Sequence, residues 1–153
     1  MTAKDDKAHL ESCLICRQAK EEEKAVNYKQ GLFFHETKHF RLRHSDETRI
    51  HGYLILESKR HFLDLSEAEP EEIQEFGPLL AQAIKAVRRF SHPHRVYTFT
   101  LAEAVPHFHI HIIPREENLP KRFVGRGIMS YPTKPGLSRE IRDEISTTLK
   151  RFF

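Results

Sequence analysis

The sequence predicts an α+β fold with a mainly antiparallel sheet of about five strands, one long helix and a C-terminal helix. Short segments with strand-like alternation follow one another closely, which is typical of antiparallel pairing. Two other segments carry apolar residues at helical spacing, one in the middle of the chain and one at its end. The 153 residues suffice for one domain, 1–153, with a sizeable core.

Five segments are predicted as strands. The second is the clearest, because Phe40 and Leu42 fall on one face while Arg41 and Arg43 fall on the other. Before the strands, the polar segment 18–30 is predicted as a short helix or a surface loop. The predicted strands are 31–36, 38–45, the apolar run 53–56 within 50–61, 95–102 and 107–113.

The long helix is predicted from apolar residues that recur three or four positions apart between Ile73 and Val87. We expect it to begin near Asp64, with glutamates in its first turns where the helix dipole favours anions. The His-Pro-His segment at 92–94 should end it, and Gly77-Pro78 should kink or split it.

The last part of the chain, 116–153, is predicted as a loop followed by an amphipathic helix from Ser138 to about Phe152. The motifs that carry chemistry lie upstream, between residues 13 and 115. No repeat or linker separates the two parts, so we expect a single domain.

Composition and charge exclude several classes of protein. The net charge is +3, but basic and acidic residues are interspersed, which argues against a nucleic-acid surface. No apolar run of about 18 residues occurs, so no membrane span is predicted. The polar N-terminal segment lacks the apolar stretch of a secretory signal. We therefore expect a cytoplasmic protein whose partner is a small molecule.

Two residues separate the cysteines, Cys13 and Cys16. Without a signal peptide, this spacing favours a metal half-site or a redox pair over a structural disulfide. A redox pair is disfavoured because no thioredoxin-like βαβ pattern follows. Two small buried residues remain an alternative, because a lone C-x-x-C is only half a zinc site.

Three histidines at alternate positions, His107, His109 and His111, interrupt an apolar run and form what we call the histidine row. Residues two apart share a strand face, so neighbouring imidazoles should be about 6.5–7 Å apart, with Phe108 and Ile110 facing the core. Desolvating three imidazoles costs free energy unless each has a partner, so the pattern indicates a site. It suits either metal ligation or nucleophilic attack on phosphorus by a neutral imidazole.

The segment HFHIHII at 107–113 resembles the signature of the histidine triad (HIT) family. The segment GYLILESKRHFLDLSEAEPEEI at 52–73 resembles that family's strand and Lys-Arg-His block before a long helix. With their spacing, these motifs make residues 13–115 similar to bacterial HIT-like hydrolases of diadenosine polyphosphates. The resemblance implies a HIT-like fold and a homodimer formed through the long helix, 67–91, and a sheet edge.

The resemblance also implies an enzyme that cleaves at the α-phosphate of dinucleoside polyphosphates or nucleoside phosphoramidates. His109 would be the nucleophile and form a covalent nucleotidyl-histidine, while His111 would contact the phosphate and assist the leaving group. His107 would orient the site, and no metal would be needed for catalysis. Some members bind structural zinc through a C-x-x-C and two histidines, and the matching residues here are Cys13, Cys16, His61 and His107.

The sequence departs from the family pattern near the expected site. Tyr53 stands where many members have the histidine of a Gly-His pair, and we do not assume that His51 replaces it. Glu103 lies where many members have a phosphate-binding Gly-Gln-Ser segment, although a carboxylate beside phosphate is unfavourable unless protonated or paired. The ribose-binding aspartate of many relatives falls near Ser45-Asp46. Ser45, Asp46 and Glu103 are the predicted substrate contacts.

Two alternatives to this enzyme remain open. The altered positions Tyr53 and Glu103 also fit a nucleotide-binding module of the same fold with little or no turnover. The other alternative is a metalloenzyme in which all three histidines of the row bind one ion. Three consecutive alternate residues rarely converge on one point, and no nearby carboxylate completes that ligand set.

Overall fold

The structure is a computed structural model, and it describes residues 12–24 and 33–153. At its centre is a five-stranded antiparallel sheet in the order β1-β2-β3-β5-β4. The predicted α+β fold is therefore confirmed. The strands are β1 Phe33–Glu36, β2 Phe40–His44, β3 Leu54–Ser58, β4 Arg95–Phe99 and β5 His109–Arg115. The helices are α1 Leu14–Lys24, α2 Pro70–Ser91 and α3 Arg139–Lys150.

Most differences from the predicted elements lie at element ends. α1 begins at Leu14, before the predicted helix or loop, and the predictions for 1–11 and 25–32 lie outside the described residues. β4 ends at Phe99 instead of residue 102. The segment after β5, predicted as a loop, contains two short 3-10 helices, Lys121–Phe123 and Gly125–Ser130.

One face of the sheet packs against α2 and α3 to form the hydrophobic core. Because side chains alternate along a strand, β2, β3 and β5 present apolar residues to this face at every second position. Val87 of α2 and Leu149 of α3 are fully buried against them. No helix in the described part of the chain is long and apolar enough to cross a membrane. The core residues of these strands are Phe40, Leu42, Leu54, Leu56, Ile110 and Ile112.

The long helix begins later than predicted. Asp64 caps a separate 3-10 turn, Leu65–Glu67, by accepting a hydrogen bond from a backbone N–H within that turn. α2 itself starts at Pro70, because the residue before a proline disfavours the helical conformation and proline fits the first helical position. The Glu72 carboxylate then accepts from the Glu69 N–H at 2.7 Å, which satisfies one donor at the helix start.

Gly77-Pro78 was expected to kink or split the helix, and the split does not occur, because α2 is continuous through Pro78. Pro78 is exposed, so the missing N–H falls on the solvent side, where helical hydrogen bonds are most easily weakened. Phe76 before it and Leu79 after it pack into the same core, which stabilises the helix on both sides of the proline. His92 ends the helix in the left-handed conformation, with φ 46°, as the His-Pro-His segment predicted.

The opposite face of the sheet carries the polar residues. Arg41 of β2, Glu57 of β3 and His109 of β5 are aligned in register across three strands. α1 and the segment 128–133 lie over part of this face, and a cleft of about 560 Å³ remains between them and the sheet. The candidate site lies in this cleft.

Candidate active site and metal centre

The cleft brings together five of the residues predicted from sequence. His109 and His111 line it from β5. Ser45 and Asp46, which follow the end of β2, line it as well, and so does the exposed Glu103 in the segment before the histidine row. Residues from three distant segments therefore line one cavity.

His107 does not continue the row as a regular strand residue. β5 begins at His109, so the prediction of a single strand through all three histidines is wrong in this respect. The backbone N–H of His107 donates to the Val105 carbonyl at 2.8 Å, and this tight turn precedes the strand. The His107 ring is fully buried and lies against cysteines, whereas the Nε2 atoms of His109 and His111 are 3.2 Å apart.

A backbone contact orients the His109 ring. Nδ1 of His109 lies 2.7 Å from the carbonyl oxygen of His107. A carbonyl oxygen can only accept, so Nδ1 carries a proton and donates it. In the neutral ring, Nε2 then has a free lone pair, and it is this nitrogen that faces His111. This is the arrangement that a nucleophilic imidazole requires.

His111 is held by contacts on three sides. The Tyr53 hydroxyl lies 2.7 Å from its Nδ1, and the Phe99 ring stacks on it with centroids 4.9 Å apart. The third contact is Nε2 of His109. Burial, with smaller contributions from His109 and Arg43, lowers the pKa of His111 to about 4. His111 is therefore neutral at pH 7 in the free protein.

Two of the contacts of His111, those with Tyr53 and Phe99, were not predicted from the sequence. Tyr53 was recognised only as a departure from the family pattern, yet it reaches His111, while His51 is exposed. Phe99 belongs to a strand whose pairing with the histidine strand was not predicted, and it lies directly opposite His111. The alternation of residues 95–102 was the available signal, because it placed Phe99 on a defined face of β4.

A buried ion-pair cluster lies beside the histidines. Glu57, opposite His109 in register, accepts hydrogen bonds from Nε of Arg41 at 2.8 Å and Nε of Arg43 at 3.2 Å. All three side chains are buried. Arg43 also donates to Asp46 at 3.1 Å, and Asp46 remains 44% exposed. The predicted ribose contact is thus connected to the floor of the cleft through Arg43.

The four predicted metal ligands come together in a second cluster, which we call the Cys/His cluster. The ligand atoms of Cys13, Cys16, His61 and His107 all lie within 4.8 Å of one another. Nδ1 of His107 is 3.5 Å from each sulfur and 3.3 Å from Nδ1 of His61. Bonds of about 2.3 Å to sulfur and 2.0 Å to nitrogen in a tetrahedral zinc site require separations of about 3.3–3.8 Å. The residues therefore fit zinc.

The hydrogen bonds of His107 leave the lone pair of Nδ1 free to bind a metal. Nε2 of His107 donates to the Ser58 carbonyl at 2.8 Å, so the lone pair is on Nδ1, which faces the cysteines. Both cysteines are free thiols, and burial together with the Cys13 hydrogen bond raises the pKa of Cys16 to about 12. A metal that binds here must displace that proton.

The geometry does not support a metalloenzyme with one ion on all three histidines of the row. Nδ1 of His107 faces the Cys/His cluster, while Nδ1 of His109 is occupied by a carbonyl oxygen. Nδ1 of His111 is occupied by the Tyr53 hydroxyl. The three rings therefore serve two different places in the fold.

An antiparallel sheet with alternating histidines beside a polar cleft defines this molecule as a histidine-triad protein. The model of the HIT domain matches residues 26–118, which is more than half of the chain. The chain belongs to the HIT-domain family. No curated protein matches it.

Solved structures share this fold at low sequence identity. A HIT-like protein involved in cell-cycle regulation from Bartonella henselae has a TM-score of 0.70 at 17% identity, covering 93% of this chain and 96% of that one. A zinc-bound histidine triad family protein from Mycobacterium smegmatis has a TM-score of 0.62 at 19% identity, covering 94% of each chain. The diadenosine triphosphate hydrolase of Plasmodium falciparum has a TM-score of 0.61 at 20% identity, covering 79% of this chain and 75% of that one.

Proposed function

We propose that this protein is a hydrolase or nucleotidyltransferase that cleaves nucleotide conjugates at the α-phosphate through a covalent nucleotidyl-His109. The observation that carries the proposal is the hydrogen bond from Nδ1 of His109 to the His107 carbonyl, which leaves Nε2 as the nucleophile. Membership of the HIT-domain family supports it. The similarity to a diadenosine triphosphate hydrolase favours dinucleoside polyphosphates, with nucleoside phosphoramidates as the second substrate class.

In the first half-reaction, Nε2 of His109 forms a bond to the α-phosphorus while the bond from phosphorus to the leaving group breaks. The leaving group takes a proton from Nε2 of His111. This ring is neutral in the free protein, but the negative phosphate raises its pKa, so that it binds a proton when the substrate binds. His111 is then a general acid at the required position.

In the second half-reaction, water attacks the phosphorus and the bond from phosphorus to His109 breaks. His111 has given up its Nε2 proton, so its lone pair accepts a proton from the attacking water. The products are a nucleoside monophosphate and a free His109. Another nucleophile in place of water would give nucleotidyl transfer.

The remaining predicted contacts are assigned to substrate binding. Ser45 and Asp46 line the cleft, and the bond from Arg43 to Asp46 holds that carboxylate in place for a sugar hydroxyl. Glu103 lines the same cleft, and it requires a cation on the substrate or a bound proton, because a bare carboxylate would repel phosphate.

We assign the Cys/His cluster to a structural zinc ion, consistent with the zinc-bound relative from Mycobacterium smegmatis. Bound zinc would supply positive charge and join the start of α1 to the segments around His61 and His107. Catalysis would not require it. Elemental analysis should find one zinc per chain, and a Cys13→Ser, Cys16→Ser variant should lose it. Zinc-free wild-type protein that folds equally well would contradict this assignment.

Mass spectrometry tests the covalent intermediate. The protein is incubated with diadenosine triphosphate or with adenosine 5′-phosphoramidate, and the adduct is mapped after quenching. We expect a nucleotidyl group on His109. His109→Ala should lower turnover at least about a thousandfold, because the nucleophile is lost. His94→Ala, which changes an exposed histidine remote from the cleft, is the control and should keep wild-type turnover. Full turnover by His109→Ala would contradict the mechanism.

A nucleotide-binding module with little turnover is the second candidate. Glu103 in the cleft favours it, since a carboxylate there weakens phosphate stabilisation. This candidate requires calorimetric binding of nucleotides together with negligible hydrolysis of both conjugate classes. Rapid turnover of either conjugate excludes it.

We further propose a single domain over 1–153, a homodimer formed through residues 67–91, and a cytoplasmic location. Ile73 on α2 is 45% exposed, which supports an apolar contact on that helix. Sedimentation velocity tests the dimer, and Ile73→Glu should shift the protein to a monomer.

A further inference from the structure

Tyr53 lies beside His111 in a conformation fixed by its surroundings. Its hydroxyl is 2.7 Å from Nδ1 of His111. The Tyr53 carbonyl accepts from the Ser45 N–H at 2.8 Å, and the preceding Gly52 has φ +78° and donates its N–H to Nε2 of His44 at 3.0 Å. The turn that presents Tyr53 is thus held at its backbone on both sides of the side chain.

The direction of the bond between Tyr53 and His111 follows from the neighbouring bonds. Nδ1 of His109 donates to a carbonyl, so Nε2 of a neutral His109 can only accept. Nε2 of His111 lies 3.2 Å from that atom and must therefore be the donor. A neutral His111 with a proton on Nε2 has none on Nδ1. The Tyr53 hydroxyl consequently donates to Nδ1 of His111 in the free protein.

The same bond must reverse when His111 is protonated. Protonated imidazole carries hydrogens on both nitrogens, so Nδ1 then donates, and a tyrosine hydroxyl can accept as well as donate. The Phe99 ring stacks on His111 with centroids 4.9 Å apart, which keeps the ring plane and the positions of both nitrogens constant. Burial raises the pKa of Tyr53 to about 12, so the hydroxyl keeps its own proton.

We propose that Tyr53 is a positioning residue whose hydroxyl donates to Nδ1 of His111 in the free protein and accepts from Nδ1 during turnover. The proposal rests on the proposed function. A proton from solvent enters at Nδ1 when the substrate binds. The Nε2 proton then passes to the leaving group, and the ring remains neutral with its proton on Nδ1, bonded to the Tyr53 oxygen. Nε2 accepts the proton of water, and the Nδ1 proton returns to solvent as the product leaves.

Kinetics of three variants test this role. In Tyr53→Phe, Nδ1 of His111 loses its partner in both protonation states, so kcat should fall about 10- to 100-fold while KM changes little. Tyr53→His should recover most of that loss, because imidazole also offers a donor and an acceptor. The control is Tyr97→Phe, whose hydroxyl accepts from the Gly125 N–H at 2.9 Å outside the cleft, and it should keep wild-type kcat. Wild-type kcat in Tyr53→Phe, or no recovery in Tyr53→His, overturns the proposal.

Nitrogen NMR of the imidazole rings tests the hydrogen bond without any substrate. In the free wild-type protein, His111 should have a protonated Nε2 and an unprotonated, hydrogen-bonded Nδ1. Tyr53→Phe should show a shifted Nδ1 resonance and a mixture of the two tautomers. A protonated Nδ1 in the neutral wild-type ring overturns the proposal. This result is separate from the proposed function, which fails if the wild-type protein forms no nucleotidyl adduct.

Discussion

His107 and His111 belong to one seven-residue motif but lie in two different environments. His107 is fully buried, with its proton on Nε2 bonded to the Ser58 carbonyl and its lone pair facing cysteines. His111 lines an open cleft, with Nδ1 bonded to the Tyr53 hydroxyl and Nε2 facing His109. The first ring suits the proposed zinc ligand, and the second suits the proposed exchange of a proton.

The comparison shows that a shifted pKa does not by itself identify a catalytic histidine. The pKa of His107 and that of His111 are both lowered to about 4, and burial is the main cause in each case. Both neutral rings carry their proton on Nε2, so their proposed roles differ through the groups that face Nδ1, which are the cysteines for His107 and the Tyr53 hydroxyl for His111. The contacts of each ring therefore distinguish the two histidines, and substitutions at each end of the histidine row test this difference.

The largest effects are expected from one substitution at each end. His111→Ala should lower turnover about 10²- to 10⁴-fold, the usual contribution of a general acid or base, with little change in stability. His61→Ala removes a ligand from the Cys/His cluster, so it should lower zinc content and the unfolding midpoint while folded protein keeps most of its turnover. For both variants, assays measure the turnover, elemental analysis measures the zinc content, and thermal unfolding measures the midpoint. If the two variants lowered turnover equally and also lowered the unfolding midpoint equally, the two ends of the histidine row would not differ in role.

The next effect concerns the ion-pair cluster opposite His109. Glu57→Ala leaves Arg41 and Arg43 buried without their shared carboxylate, and should lower the free energy of unfolding by about 3–5 kcal/mol. Glu36→Gln is the matched control. It breaks the partly exposed pair between Glu36 and Lys59, and should cost less than about 1 kcal/mol. Urea unfolding measures both, and equal losses would show that burial of the cluster contributes nothing.

The smallest effect is a pH dependence of stability. His44 donates from Nδ1 to the Ser45 carbonyl and accepts the Gly52 N–H at Nε2, and burial lowers its pKa to about 4. The unfolded histidine has a pKa of about 6.5, so the unfolded state binds the extra proton first as the pH falls. The contribution of His44 is complete above pH 6.5 and is lost between pH 6.5 and 4, by about 3 kcal/mol.

Urea unfolding of the wild type and of His44→Gln across that range tests this dependence. The variant should be less stable at pH 7 but lose less stability on acidification, since glutamine does not titrate. His94→Ala, with an exposed histidine, should follow the wild-type pH profile. An unchanged slope in His44→Gln would contradict the assignment.

Much of the fold follows from local patterns in the sequence. The alternation of Phe40 and Leu42 with two arginines placed β2 with its correct faces, because strand side chains alternate wherever the strand lies. The same period placed Ile110 in the core. A split of the long helix at Pro78 was one expected outcome and does not occur, because a local rule for proline does not include the core packing on either side of it.

Some features of the candidate site could likewise be predicted from the sequence, and others could not. The candidate residues His107, His109 and His111 and the pair Cys13 and Cys16 were recognised from their types and spacing. The turn at Val105 that separates His107 from the strand was not evident, nor were the contacts from Tyr53 and Phe99 to His111. The Tyr53 contact joins segments more than 40 residues apart and the Phe99 contact joins two strands, so neither follows from a local pattern.

The sequence by itself therefore determined the α+β class, the positions of most strands and helices, and the candidate functional residues. These properties depend on side-chain periodicity and intrinsic reactivity, which are local. Only the tertiary structure decided which nitrogen of each histidine carries the proton, that His107 faces the cysteines, and that Tyr53 reaches His111. A hydrogen bond has a direction set by both partners, and partners that are distant in the chain meet only when the sheet has formed.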